Sequence, residues 1–390
     1  MSKEFERRHK EDRPVLAICY DFDKTLSPDD MQAQGYIQSV GYKVSEFWEK
    51  SNELASDNDM DQNLAYMYTM KNEAEGNIVF TKQKLKEYGT QVKLFSGVEE
   101  WFSRIRDYGI KKGVIVEHYI ISSGLKEMIE GTSVANEFEK IYASSFLFNE
   151  RGVAIWPAQV INYTNKTQFL FRIEKGTLDI NDPGVNDAFA PEDIRVPFRN
   201  MIYIGDSDTD IPCMKLVNSY GGHSIGVYNA DTQDKTKVYK MMRENRIKYF
   251  AESDYSDGSE LDRLVKAIID RTSANEALET IHFECKKEGN EADKQNSEEE
   301  RKKIDLIIKL ENSRSFAATH SVITEMRKIT SWTSKEMNKI AEVAMENSQV
   351  SEILTDTDLE LFFISLFEHN HQMTDSANRI KDIIELKKNN

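Results

Sequence analysis

Two apolar runs in this chain of 390 residues stop abruptly in acid, and that pattern constrains the fold more than any other feature. Val15-Leu16-Ala17-Ile18-Cys19-Tyr20 leads straight into Asp21-Phe22-Asp23-Lys24-Thr25, with Asp29 and Asp30 close behind. Met201-Ile202-Tyr203-Ile204 leads into Gly205-Asp206-Ser207-Asp208-Thr209-Asp210. A short continuous apolar run bounded by turn residues reads as a strand buried on both faces. In a strict strand Asp21 and Asp23 would point to opposite sides, so their cooperation requires the chain to turn there.

Strand and helix patterns alternate from Gly97 onward. Val98, Trp101, Ile105 and Tyr108 mark one helix face, and strands are expected at 114–121, 141–148, 153–161, 201–204, 224–228 and 249–251. Such alternation predicts an α/β fold with a largely parallel, Rossmann-like sheet covered on both faces, which binds ligands at the carboxyl ends of its strands. Residues 27–95 read as helices broken by Gly41, the Ser56-Asp57-Asn58-Asp59-Met60-Asp61 turn and Gly76. One of them is expected to start at Ser45, and another carries Leu64, Met67 and Met70 as a packed face.

Composition changes after about Arg271. The stretch 285–303 is dense in charge and poor in core-forming residues, so 271–303 is expected to be a charged linker or the solvated start of a helix. Residues 304–390 read as a helical module. Thr333 and Glu336 fit a capping box flanked by a Trp332–Met337 staple, Thr357 and Glu360 fit a second box, and Thr374 marks the start of the last helix. His369 and His371 would face different sides of a helix, and no third ligand accompanies them, so they do not read as a metal site.

Charge and cysteine usage narrow the function classes. A formal net charge of -16 disfavours nonspecific binding to nucleic acid, whose affinity comes from cations neutralising phosphates. Cys19, Cys213 and Cys285 lack the spacing of a disulfide framework or zinc site. No apolar run reaches the roughly 18 residues of a membrane span, and the charged start of the chain lacks a signal-peptide core. No membrane association and a cytoplasmic location are the expectations.

Spaced acids also describe calcium loops. An EF-hand needs Gly at its sixth position and Glu at its twelfth; counted from Asp21 these are Leu26 and Gln32, and from Asp206 they are Ile211 and Val217. Neither turn is an EF-hand. Between them, the strand at 114–121 ends in Ser122-Ser123-Gly124, and Lys166 lies in Asn165-Lys166-Thr167 on the expected first turn of a helix. In this order, the four segments resemble the motifs of the haloacid dehalogenase (HAD) superfamily, most closely its phosphoserine-phosphatase-like phosphatases. The resemblance covers residues 13 to about 270.

The resemblance implies a HAD core at 1–26 and 96–270 with 27–95 inserted as a helical C1-type cap. It implies Mg2+ as cofactor, held by Asp21, Asp206, the backbone carbonyl of Asp23 and, directly or through waters, Asp210. Asp21 would be the nucleophile and Asp23 the acid and base, while Ser122 and Lys166 stabilise the transferred phosphoryl group. Thr25, Ser123 and Gly124 would join Ser122 and Lys166 in binding the phosphate. Ser123 is the alternative to Ser122, Lys140 and Lys175 are alternatives to Lys166, and Asp208 is extra to the motif, a candidate for hydrogen bonding only. The acid at Asp23 favours phosphatases over dehalogenases and transport ATPases. The expected activity is hydrolysis of a small phosphorylated metabolite. The alternatives are a phosphatase whose macromolecular substrate is recruited by 304–390, which could also hold a protein partner or a second copy, and a non-catalytic phospho-ligand sensor.

Overall fold

A computed structural model of the chain describes residues 4–295, 297–329, 331–368 and 372–388. The chain divides into two compact units, 1–281 and 282–390.

The first unit begins with β1 (Val15–Tyr20), in which all residues are buried. Its side chains alternate between two cores: Leu16, Ile18 and Tyr20 enter one, Val15, Ala17 and Cys19 the other. Burial on both faces is why this strand is apolar throughout instead of alternating. The inserted segment follows, with α1 (Tyr36–Ser39), α2 (Val44–Asp57), α3 (Gln62–Ala74) and α4 (Lys82–Gly89). Helix α2 starts before Ser45: Glu46 reaches back to the backbone N–H of Lys43, leaving Ser45 inside the first turn. Next come α5 (Val98–Lys111), β2 (Ile115–Leu125), α6 (Lys126–Ile129), β3 (Lys140–Phe148), β4 (Ala154–Gln159) and α7 (Thr167–Lys175). The unit continues with β5 (Met201–Gly205), α8 (Ile211–Ser219), β6 (His223–Tyr228), α9 (Thr236–Arg243), β7 (Tyr249–Glu252) and α10 (Glu260–Gln295).

The seven-stranded sheet has the order β4-β3-β2-β1-β5-β6-β7. Its neighbours are parallel except for the β3–β4 hairpin. This is the Rossmann-like parallel α/β architecture expected from the alternating pattern, and it puts β1 between β2 and β5. The loop 176–199 is held near the amino end of β2, away from the acidic turns. Arg195 pairs with the buried Glu117 at 2.6 Å, and Arg7 pairs with Asp182 at 2.7 Å.

Within 271–303, expected as a charged linker or the solvated start of a helix, residues 271–295 and 298–303 are helical. Helix α10 runs unbroken to Gln295, and the boundary between the units falls inside it. Charge alone does not prevent helix formation where Glu, Lys and Ala, all good helix formers, dominate and proline is missing. Ser297 then caps α11 (Glu298–Glu311), its hydroxyl accepting from the Glu300 N–H.

The second unit continues with α12 (Phe316–Met326), α13 (Ser334–Glu346), α14 (Ser348–Glu352), α15 (Thr357–Glu368) and α16 (Asp375–Lys388), packed around Leu310, Ile323, Ile340, Phe363 and Ile380. Thr333 forms its capping box with Glu336. Thr357 does not: it is the first residue of α15, and the Glu360 N–H bonds the Asp356 carbonyl. His369 and His371 lie outside the described residues. Among the described residues no helix is long and apolar enough to cross a membrane.

Candidate active site

β1 and β5 run side by side in register, Tyr20 opposite Ile204, so their acidic turns emerge at the same level. The Asp21 N–H donates to the Ile204 carbonyl at 2.9 Å and ties the two turns together. The chain then reverses. The N–H groups of Leu26 and Ser27 bond the Phe22 carbonyl at 2.9 and 3.2 Å, and Lys24 adopts a left-handed backbone with φ 57. That turn aims both Asp21 and Asp23 into one cavity of about 500 Å3, where a straight strand would have separated them.

Asp206 lines the same cavity, and Asp210 is fully buried beside it. Carboxylate oxygens of Asp21, Asp206 and Asp210 lie within 4.8 Å of one another. Three buried acids at that distance repel one another unless cations intervene. Lys166 is one such cation. Its fully buried Nζ is 2.8 Å from Asp210 Oδ1 and 3.3 Å from Asp21 Oδ1. Burial pulls its pKa down, but Asp21 and Asp210 outweigh that and hold the ammonium above its usual value. Asp210 Oδ1 also accepts from the Tyr203 hydroxyl at 2.9 Å, while Oδ2 accepts from the Ser207 N–H at 3.3 Å. Asp210 is therefore held on both oxygens.

Asp21 and Asp206 differ from it. The contact of Asp21 Oδ1 with Lys166 lacks the alignment of a hydrogen bond, and no donor satisfies this buried oxygen. Burial foremost, then repulsion from Asp210, pushes the Asp21 carboxyl up to about 7, and the same causes push Asp206 up to about 6. An orphaned buried carboxylate oxygen facing a second acid is a fit for a hard divalent cation, which draws on oxygen ligands and keeps several waters.

Asp23 is pushed well above the usual carboxyl range, by burial foremost and then by Asp30 and Asp21. One of its oxygens accepts the Met31 N–H at 2.8 Å, which fixes the side chain. Burial and the neighbouring acids thus bias this carboxyl toward its protonated form, against the Met31 N–H, which favours the carboxylate.

Ser122, Ser123 and Gly124 line the cavity from the end of β2. Ser122 Oγ accepts from the Gly124 N–H at 3.0 Å, while Ser123 Oγ is buried without a partner. Thr25 is buried with an unpartnered hydroxyl and does not line the cavity. The alternative lysines lie elsewhere: Lys175 donates to the carbonyls of Val185 and Asp187, and Lys140 opens β3 at its amino end. Asp208 is exposed and outside the cavity.

Some wall residues were not read from the sequence. Met60, Asp61, Gln62 and Asn63 enter from the inserted helices, Tyr163 from the loop before Lys166, and Lys24 and Lys237 from the flanks. The only signal for the first group was the acidic turn at 56–61, which reads equally well as a helix break. Tyr203 gave none, because a tyrosine in a buried strand looks like core.

Gly205 shows how tightly the second acidic turn is built. A Cβ at this position would lie 2.4 Å from Asp210 Oδ2. Gly205→Ala is expected to displace the Asp210 carboxylate and lower stability by about 1–3 kcal/mol, read by urea denaturation; an unchanged midpoint would show that the turn yields.

Comparison with known proteins supplies only distant likenesses. No family model matches the chain. A protein of Borreliella burgdorferi described as uncharacterized is 24% identical over 275 residues, spanning 63% of this chain and 94% of its own. Among solved structures, a HAD family hydrolase from Salmonella enterica serovar Typhi aligns with TM-score 0.43 and 16% identity, covering 66% of this chain and 73% of its own. A substrate-bound phosphoserine phosphatase aligns with TM-score 0.41 and 13% identity over 66% of this chain and 99% of its own. A phosphoserine phosphohydrolase-like protein from Francisella tularensis gives 0.39 and 20%, over 60% and 94%.

Proposed function

We propose that this chain is a HAD-type phosphomonoester hydrolase that uses Mg2+ and an aspartyl-phosphate intermediate to act on a small phosphorylated metabolite. One observation carries the reading: the cavity combines a buried carboxylate with an unsatisfied oxygen, Asp21, and a carboxyl biased toward its protonated form, Asp23, two residues away on the same turn. A nucleophile and a proton donor are the two groups that splitting a phosphate ester requires.

In this reading Asp21 attacks phosphorus, and the bond from phosphorus to the ester oxygen breaks. Asp23 gives its proton to the departing oxygen, leaving a carboxylate that then takes a proton from the water attacking the aspartyl-phosphate. Lys166 lies against Asp21 and keeps its charge, so it offsets the phosphoryl oxygens' negative charge. Ser122, the free hydroxyl of Ser123 and the backbone around Gly124 donate to the same oxygens, with Thr25 supporting the turn that carries both acids. Asp21, Asp206 and the Asp23 carbonyl would hold Mg2+, and Asp210, already bonded to Lys166 and Tyr203, orients this group from behind. When bound, the cation supplies the positive charge that lets one anion approach another.

Dialysis against a chelator tests the cofactor assignment. Hydrolysis of p-nitrophenyl phosphate is expected to vanish and return with added Mg2+, while calorimetry registers Mg2+ binding that Asp206→Asn weakens. Full turnover in excess chelator would sink the proposal.

A further inference from the structure

We infer that the alcohol released from the substrate is uncharged, a sugar- or polyol-like leaving group without a carboxylate. This rests on the phosphomonoesterase reading above and adds the substrate class.

The amino end of α3 lines the same cavity as the catalytic acids. Such an end is ordinarily an anion site, because free N–H groups and the helix dipole point outward. Here the chain fills that position itself. Asp61 Oδ1 accepts from the N–H groups of Asn63 and Leu64 at 2.9 and 3.1 Å, and its Oδ2 accepts from Asn162 Nδ2 at 3.0 Å. A substrate carboxylate would meet a carboxylate there instead of donors.

The cavity's lysines sit away from α3, beside acids: Lys24 Nζ lies 2.9 Å from Asp30, and the exposed Lys237 Nζ lies 3.5 Å from Asp206. Among the described residues lining the cavity there is no arginine. What remains on the α3 side is neutral: the amide of Gln62, the amide of Asn63, whose NH2 already donates to the Ile161 carbonyl at 2.9 Å, the thioether of Met60 and the half-exposed ring of Tyr163. Amides and a phenol hydrogen-bond to hydroxyl groups without favouring a charge, and about 500 Å3 leaves room for several of them.

The test is steady-state kinetics of the full chain with Mg2+ on glycerol 3-phosphate, glucose 6-phosphate, 3-phosphoglycerate and O-phosphoserine, with p-nitrophenyl phosphate as the reference ester. The best neutral ester is expected to exceed both carboxylated esters in kcat/KM by about tenfold or more, since like charges set against each other are strongly rejected. Gln62→Arg, at an exposed helix position, is expected to raise the ratio of 3-phosphoglycerate to glycerol 3-phosphate turnover severalfold. Carboxylated esters hydrolysed as well as or better than the neutral ones, or an unchanged ratio in Q62R, would overturn the inference while p-nitrophenyl phosphate turnover leaves the hydrolase reading standing. Failure on every ester, the aryl phosphate included, would overturn that reading and this one with it.

Discussion

Replacing Asp21 by asparagine is expected to lower turnover of p-nitrophenyl phosphate by roughly four orders of magnitude or more, while the protein stays folded. An amide cannot attack phosphorus, and the other groups of the cavity do not substitute for a missing nucleophile. The fold should tolerate the change because Lys166 keeps its 2.8 Å partner Asp210. Metal-free protein should even gain. The Asp21 carboxyl is pushed up to about 7 by burial and by Asp210, against about 4 in an unfolded chain. As pH rises between those values the unfolded chain releases a proton that the folded chain retains, so this group lowers stability progressively through that window and fully above it. Asparagine does not titrate. In a chelator at pH 8 the variant should therefore melt at or above the wild-type temperature, with the difference closing toward pH 4. A variant that melts well below wild type at pH 8 would show that Lys166 already makes the ionised Asp21 favourable.

How much of this could be read from the chain follows from where the information lies. The strand at Val15–Tyr20 is legible because burial on both faces leaves a continuous apolar run. Its acidic end is legible because nothing in a plain turn calls for so many carboxylates. Asp206 and Asp210 follow by the same logic, and parallel neighbours in register bring them to Asp21. Lys166 was a candidate by its place between the second and fourth motifs, but only the fold shows it fully buried between two acids.

The α3 side of the cavity was beyond such reasoning. Asp61 is a recognisable helix cap, yet which end of α3 reaches the cavity depends on how the helices between β1 and β2 dock on the sheet, through contacts such as the Tyr66 hydroxyl with the Ser123 carbonyl at 2.7 Å. Docking is long-range packing that no local pattern encodes. At 285–303 the sequence left two readings open, a charged linker or the solvated start of a helix, and helix forms because the residues that carry the charge are good helix formers. The rule that charge marks a linker fails where the charged residues are themselves good helix formers.

Lys166→Met carries the second large effect, and its sign depends on burial. The methionine fills similar volume, so packing loss is small. What is lost is the cation: Asp21, Asp206 and Asp210 are left with carboxylate oxygens within 4.8 Å of one another and without the buried ammonium between them. Breaking a buried pair on one side costs about 3–5 kcal/mol, because the remaining charge has neither water nor partner. Part of that should be avoided by proton uptake, which leaves Asp21 neutral at the pH where the proposed mechanism uses it as nucleophile. If Lys166 contacts the phosphoryl group as proposed, turnover is expected to fall about a hundred- to a thousandfold from that loss alone. Mg2+ separates the two consequences. A divalent ion held by Asp21 and Asp206 replaces much of the missing positive charge, so it should raise the melting temperature of the variant more than that of the wild type, while turnover stays low because the ion does not take the lysine's place against the phosphoryl oxygens. A variant as stable as wild type in chelator would mean the acids are already protonated in the folded protein, and Lys166 would then be a phosphate ligand without a structural charge to balance.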